Sequence, residues 1–181
     1  MQRKKLLLHC CCAPCASSVV ERLLKENKYD ITMYFSNSNI LPQEEYEKRK
    51  AEIIRLNKEI FVDTNLIIEE YNPSEYFEAI NGLETLGEGS IRCDACIGYR
   101  MKNSAKYACK NGFDIFATTL TVSPHKNAKK INEIGENLAT EFGIEYLQSD
   151  FKKQNGYLRS IELCREYNIY RQKYCGCGLD L

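Results

Sequence analysis

The sequence lacks a long apolar segment, an excess of charge of either sign and a glycine-rich nucleotide loop. No run of about 18 or more apolar residues predicts a membrane span, and no basic segment followed by an apolar stretch and a small-residue cleavage site predicts export. We therefore expect a cytoplasmic protein that does not act at a membrane. With 25 basic and 25 acidic residues among 181, the composition is typical of globular proteins and predicts a single domain over residues 1–181.

Cysteine is present where nucleotide-binding α/β proteins carry glycine. The chain has neither Gly-x-Gly-x-x-Gly after its first apolar run nor Gly-x-x-x-x-Gly-Lys-Ser/Thr, which excludes a dinucleotide fingerprint and a P-loop. It has ten cysteines, at spacings that in an intracellular protein are typical of metal or redox sites rather than of disulfide frameworks. Seven of them form three tight groups: Cys11, Cys12 and Cys15; Cys93 and Cys96; Cys175 and Cys177.

Short apolar runs alternate with helical patterns along the chain. This alternation predicts an open, doubly wound α/β fold with a parallel sheet and helices on both faces. Ligands of such sheets bind at the C-terminal edge of the strands, where the first cysteine group and the segments 36–39 and 121–125 should meet. The predicted strands are residues 6–8, 30–35, either 60–62 or 66–68, 115–120 and 145–147; the predicted helices are 17–28, 42–57, 75–80, 92–110, 126–142 and 157–167.

The cysteine groups admit more than one chemistry. Cys12 and Cys15 alone, at a strand-to-helix junction, are typical of a thioredoxin-type motif and predict a thiol–disulfide oxidoreductase. Cys93 and Cys96 present two thiolates one turn apart on a helix, which favours a metal. Seven thiols exceed the four that one zinc ion or one four-iron cluster takes, so two metal centres are the favoured interpretation. One closed zinc site in a nucleic-acid-binding module is the alternative.

Several residues near the thiols have open roles. His9 can be a metal ligand, a proton donor or an orienting residue, and Asp94 can be a ligand or a proton donor. Cys10 could also ligate a metal. Cys109 and Cys164 stand singly in helical patterns and are expected to be buried apolar residues.

Charge is unevenly distributed in the central part of the chain. Residues 92–130 carry eight basic and two acidic side chains, which predicts either a surface for a polyanion or a solvated helix face. Tyr170 and Tyr174, beside two basic residues, could stack on a nucleobase. The basic residues of the segment are Arg92, Arg100, Lys102, Lys106, Lys110, Lys126, Lys129 and Lys130.

With these residues the sequence resembles the cobalamin-independent epoxyqueuosine reductases (QueH), over nearly its whole length. Five motifs in order carry the resemblance, and the seven grouped cysteines match the family's pattern, whereas Cys10 and His125 fall where that pattern varies. The motifs are Leu-His-Cys-Cys-Cys-Ala-Pro-Cys at 8–15, Arg-Cys-Asp-Ala-Cys at 92–96, Thr-Thr-Leu-Thr-Val-Ser-Pro at 118–124, Gly-Tyr-Leu-Arg-Ser at 156–160 and Tyr-Arg-Gln-Lys-Tyr-Cys-Gly-Cys at 170–177.

The resemblance implies a Rossmann-like fold related to the adenine nucleotide α-hydrolases, with a 4Fe-4S cluster and a second, mononuclear metal, expected to be iron. The expected cluster ligands are Cys11, Cys12, Cys93 and Cys96, although the division of the seven metal-binding cysteines between the two centres stays open, as does a role for Asp94 as ligand.

The implied reaction removes the epoxide oxygen of epoxyqueuosine at the anticodon wobble position of tRNA, with two electrons and two protons. The second metal would act as a Lewis acid, and Asp94 and His9 are the candidate proton donors. The implied partners are the tRNA anticodon arm, bound through the basic segment, and an electron donor such as a ferredoxin or flavodoxin.

Overall fold

A computed structural model describes residues 2–179 and shows five parallel strands flanked by helices. The sheet order is β3-β2-β1-β4-β5, and every neighbouring pair is parallel. This confirms the predicted α/β fold. The strands are β1 Lys4–His9, β2 Tyr29–Phe35, β3 Asn65–Ile68, β4 Ile115–Thr118 and β5 Glu145–Tyr146; the helices are α1 Ala13–Glu26, α2 Gln43–Glu59, α3 Pro73–Ala79, α4 Ile91–Lys110, α5 Ala128–Phe142 and α6 Gly156–Glu166, with a 3-10 helix at Thr119–Val122.

Strand β1 is the centre of the core. Leu6, Leu7 and Leu8 are fully buried, and alternate side chains point to opposite faces of the sheet. Leu6 and Leu8 pack in one apolar cluster with residues of α1, α2 and α6, whereas Leu7 packs in a second with residues of α4 and α5. Burial on both faces explains why this strand has a continuous apolar sequence rather than an alternating one.

Strand order reverses at β1, because β2 follows it to one side and β4 lies on the other. The loops after these three strands meet at the C-terminal edge of the sheet, as predicted. Asn37, after β2, donates from Nδ2 to the carbonyl of Cys10, and the Cys11 amide donates to the Thr119 hydroxyl after β4. The first cysteine group therefore lies at the crevice where open α/β sheets bind ligands.

Several predicted boundaries were wrong, three of them beside the site. Helix α1 begins at Ala13 rather than at residue 17, because Pro14 occupies the first turn and Ser17 bonds back to the Pro14 carbonyl inside the helix. Of the two alternatives for the third strand, the structure confirms 66–68, which lies in β3, since 60–62 leads into a turn closed by the Thr64 amide on the Phe61 carbonyl. Strand β4 ends at Thr118, where the 3-10 helix starts, and α5 begins at Ala128 after its Asn127 cap rather than at residue 126.

The two single cysteines differ from each other. Cys164 is 4% exposed and belongs to the core, as predicted. Cys109 is exposed, which contradicts its prediction as a buried residue, because its neighbour Ala108 takes the inward position of α4.

Gly156 is required at the start of α6, and its substitution tests how that helix is placed. A Cβ atom there would lie 1.8 Å from the Phe151 carbonyl oxygen, a backbone atom that cannot move alone. We expect Gly156→Ala to lower the free energy of unfolding by roughly 1–3 kcal/mol in urea denaturation.

Gly98→Ala on α4 is the matched control, because nothing lies within 4 Å of its Cβ position. Removing glycine from a helix interior should raise the free energy of unfolding by roughly 0.5–1 kcal/mol. A Gly156→Ala protein as stable as Gly98→Ala would show that the close approach to Phe151 does not constrain α6.

Candidate metal centres

The first thiol group, Cys11, Cys12 and Cys15, lies where β1 ends and α1 begins. Cys12 is the N-cap residue of α1, and Cys15 lies in its first turn. The three Sγ atoms lie within 4.8 Å of one another, and those of Cys11 and Cys12 are 3.7 Å apart. Thiolates on one tetrahedral ion, with metal–sulfur bonds of about 2.3 Å, are separated by roughly 3.8 Å. The group therefore has the spacing of a metal site.

Cys11 is the most acidic thiol of this group. Hydrogen bonds from Cys12 and Cys15 hold the pKa of Cys11 well below its usual value. The shared hydrogen bond with Cys11 raises the pKa of Cys12 to about 12, and the pKa of Cys15 is raised in the same way. The three thiols are hydrogen-bonded to one another, so they share their protons as one group. The spacing of their sulfurs is that of a metal site.

The second thiol group combines α4 with the C-terminal segment of the chain. Cys93 and Cys96, in the first turns of α4, line a cavity of about 200 Å³ together with Cys175 and Cys177. Burial raises the pKa of Cys96, and the charges of the other three thiols raise it further. Within residues 2–179 no three sulfurs of this group lie as close together as those of the first group. The second group is thus a wider ring of four thiols.

Arg49 holds the C-terminal segment in place. Its Nη1 and Nη2 atoms donate to the carbonyls of Cys175 and Tyr174 at 3.0 and 3.1 Å, and its buried Nε pairs with Glu45 at 2.8 Å. Gly176 has φ +149°, and its own Cβ position would lie 3.3 Å from Arg49 Nη1. A side chain at Gly176 would press on this anchor, which explains the Cys-Gly-Cys sequence.

The two thiol groups border adjoining cavities. A larger cavity of about 630 Å³ is lined by Cys11 and Cys15, and Arg100, Lys126 and Cys175 line both cavities. Three N–H groups donate to sulfur at this junction. They are Lys126 Nζ to Cys175 at 3.3 Å, the Gly89 amide to Cys93 at 3.3 Å and Gln172 Nε2 to Cys12 at 3.0 Å. Donors of this kind stabilise thiolates and so prepare the sulfurs for a metal.

His9 and Asp94 lie beside different thiol groups. His9 is fully buried at the end of β1, with Nδ1 2.9 Å from the Thr118 hydroxyl and no partner at standard geometry for Nε2 among the described residues. Burial lowers the pKa of His9 to about 4, so its imidazole is neutral at physiological pH. Asp94 lines the smaller cavity and forms an ion pair with Lys130.

The basic residues of 92–130 do not all lie at the surface. Arg92 and Arg100 are 2% and 3% exposed and face the interior from α4. Lys106 and Lys129 are exposed, whereas exposed Lys130 is paired with Asp94. The four-residue spacing from Cys96 to Arg100 was the one sequence signal that the arginine shares a helix face with a thiol.

The tyrosines near the last cysteines are held by the protein. The Tyr174 hydroxyl donates to the Leu41 carbonyl at 2.8 Å, and its ring lies 5.2 Å from the Arg49 guanidinium. Tyr170 donates to the Glu45 carboxylate.

Sequence reasoning missed Tyr76, which is fully buried and lines the smaller cavity with Cys96. Nothing in the local sequence pattern marks this tyrosine.

No helix within residues 2–179 is long and apolar enough to cross a membrane.

Comparisons with known proteins point to one family. The sequence profile described as "Epoxyqueuosine reductase QueH" matches residues 6–180. A curated protein of that name from Streptococcus pyogenes serotype M1 is 45% identical over 99% of this chain and 74% of its own length. The namesakes from Staphylococcus epidermidis and Thermotoga maritima are 42% and 34% identical, each over 97% of this chain and over 76% and 90% of their own lengths. The chain belongs to the epoxyqueuosine reductase QueH family.

Proposed function

We propose that this protein is an iron–sulfur epoxyqueuosine reductase that removes the epoxide oxygen of epoxyqueuosine in tRNA to give queuosine, the last step of queuosine biosynthesis. The observation that carries the proposal is that six thiols line two adjoining cavities at the C-terminal edge of the sheet, with the seventh, Cys12, within 4.8 Å of Cys11 and Cys15. The reaction consumes two electrons and two protons, breaks both C–O bonds of the epoxide and releases one water. The electrons come from an external donor such as a ferredoxin or flavodoxin.

The proposed cluster ligands are Cys11, Cys12, Cys93 and Cys96. Cys12 caps α1 and Cys93 and Cys96 lie in the first turns of α4, so these thiols lie at two helix N-termini, where an anionic cluster is favoured. Cys11 lines the larger cavity and Cys96 the smaller one, and Arg100 lines both. This division leaves Cys15, Cys175 and Cys177 for a mononuclear iron, although the Cys15 sulfur lies within 4.8 Å of those of Cys11 and Cys12. Cys15 and Cys175 line the larger cavity together with Cys11.

When bound, the two centres would supply single electrons and a Lewis acid for the epoxide. The side chains of the protein supply the protons and hold the reacting groups in position. We propose that the Lys130 ammonium gives its proton to its ion-pair partner Asp94 on the cavity wall, and that Asp94 passes this proton to the departing oxygen. Neutral His9, buried behind the first thiol group, acts as an orienting residue through Thr118.

The larger cavity is the proposed entrance for the modified base. Its wall carries the Tyr157 and Tyr174 side chains, and Lys126, Arg171 and Lys173 lie around it. A single-stranded anticodon loop can turn a base out of the stack, and the basic residues would bind the flanking phosphates.

A zinc-bound tRNA-binding module is the second candidate function. The 3.7 Å separation of the Cys11 and Cys12 sulfurs matches a tetrahedral zinc site as well as an iron site. Such a module would not turn over epoxyqueuosine. Metal analysis separates the two functions.

Serine substitutions test the division of the cysteines. We expect Cys12→Ser and Cys93→Ser, purified without oxygen, to lose acid-labile sulfide together with about four irons, because a four-iron cluster needs all four thiolates. Cys175→Ser should keep its sulfide and lose the remaining metal.

Cys109→Ser is the matched control, since this exposed cysteine lies on α4 and belongs to neither thiol group. Loss of sulfide from Cys175→Ser with full sulfide in Cys12→Ser would assign the cluster to the second thiol group instead.

Asp94→Asn tests the proton donor. An amide cannot release a proton, so we expect turnover of epoxyqueuosine tRNA to fall by roughly 10²–10⁴-fold. The assay is mass spectrometry of digested tRNA nucleosides. Asp63→Asn, at an exposed position in the turn before β3, should leave turnover unchanged. Near-normal turnover by Asp94→Asn, at normal iron content, would exclude Asp94 as the donor.

A further inference from the structure

Arg100 is a buried cation without a carboxylate partner. Its residue is 3% exposed, and in the part of the chain from 2 to 179 no carboxylate oxygen lies within 4.0 Å of its guanidinium. Its Nε donates to the Cys96 carbonyl at 3.4 Å, a bond to its own helix. Burial of an uncompensated charge is strongly unfavourable, so a positive charge retained here requires negative charge close by.

The negative charge available to Arg100 is that of the thiols. The guanidinium lines both cavities, between Cys11 of the first thiol group and Cys96 and Cys175 of the second. A guanidinium is positively charged at physiological pH, so these sulfurs, as metal-bound thiolates, would be its counter-charge.

Other groups around Arg100 do not neutralise it. Within residues 2–179, exposed Glu88 lines both cavities but lies more than 4.0 Å from the guanidinium, and Asp94 is paired with Lys130. His9 is neutral, and the hydroxyl of buried Tyr76 is uncharged at physiological pH because burial raises its pKa. Asn39, on the wall of the smaller cavity, has an unpartnered Oδ1 but carries no charge. Lys126 adds a second positive charge beside Cys175. The thiol groups are therefore the counter-charge of Arg100.

We propose that Arg100 is a positioning residue that fixes a positive charge between the two metal centres and raises the reduction potential of the iron–sulfur cluster. This inference rests on the proposed function. Reduction adds an electron to an already anionic cluster, so a nearby fixed cation stabilises the reduced state more than the oxidised state. Lys126 is partly exposed and screened by water, so buried Arg100 has the stronger effect.

Substitutions of Arg100 with a charge-matched control test this role. Arg100→Gln removes the charge, Arg100→Lys keeps it, and Lys106→Gln removes an exposed charge from the same helix. Iron and sulfide are measured on anaerobically purified proteins, and the cluster potential is measured by a redox titration followed by electron paramagnetic resonance. None of these readouts depends on turnover.

We expect Arg100→Gln to reduce the equilibrium constant for one-electron reduction of the cluster by about tenfold or more. A tenfold reduction corresponds to a fall of about 59 mV in the reduction potential of a one-electron couple. Arg100→Lys should recover most of that loss, and Lys106→Gln should match the wild-type protein. If circular dichroism shows that Arg100→Gln is folded but the protein holds no cluster, full iron and sulfide in Arg100→Lys would show that the cluster requires a positive charge at position 100.

An unchanged potential in Arg100→Gln with a full cluster would overturn the inference and leave the proposed function intact. Loss of the cluster from both Arg100→Gln and Arg100→Lys, each with a native circular dichroism spectrum, would also overturn the inference. The positive charge kept in Arg100→Lys would then not be enough to hold the cluster. Wild-type protein without sulfide would contradict the proposed function itself, and this inference with it.

Discussion

The site depends on the anchoring of the C-terminal segment by Arg49. One buried guanidinium, paired with Glu45, donates to two successive carbonyls, of Tyr174 and Cys175. These bonds bring thiols from the end of the chain to those at the start of α4. A buried hydrogen-bonded ion pair of this kind is costly to break, because the surviving partner remains charged in the interior. The anchor thus fixes the second thiol group in space.

The sheet gives the site its other fixed element. Strand β1 is buried on both faces and ends at His9, so the first thiol group extends from the most rigid part of the fold. The two thiol groups combine a central strand, two helix N-termini and a terminal segment. Arg100 lies where these elements meet and links the electrostatics of the two groups. Geometry and charge together favour anionic metal centres at this edge.

The sequence predicted the fold class and the three groups of thiols, because apolar periodicity and cysteine spacing are local signals. It did not predict that α1 begins at Ala13 or that β4 gives way to a 3-10 helix, since both depend on loop packing at the site. The burial of Arg100 and the anchoring role of Arg49 also escaped prediction. Each depends on residues distant in sequence, and a basic side chain is ordinarily assigned to the surface.

The central claim, that the thiols hold an iron–sulfur cluster and a second metal, is tested most directly by iron, sulfide and zinc analysis with an absorption spectrum on protein purified without oxygen. We predict a brown protein with about five irons and about four sulfides per chain, because a four-iron cluster accompanies one further iron. A colourless protein that holds one zinc ion and no sulfide would contradict the account and favour a zinc-bound tRNA-binding module.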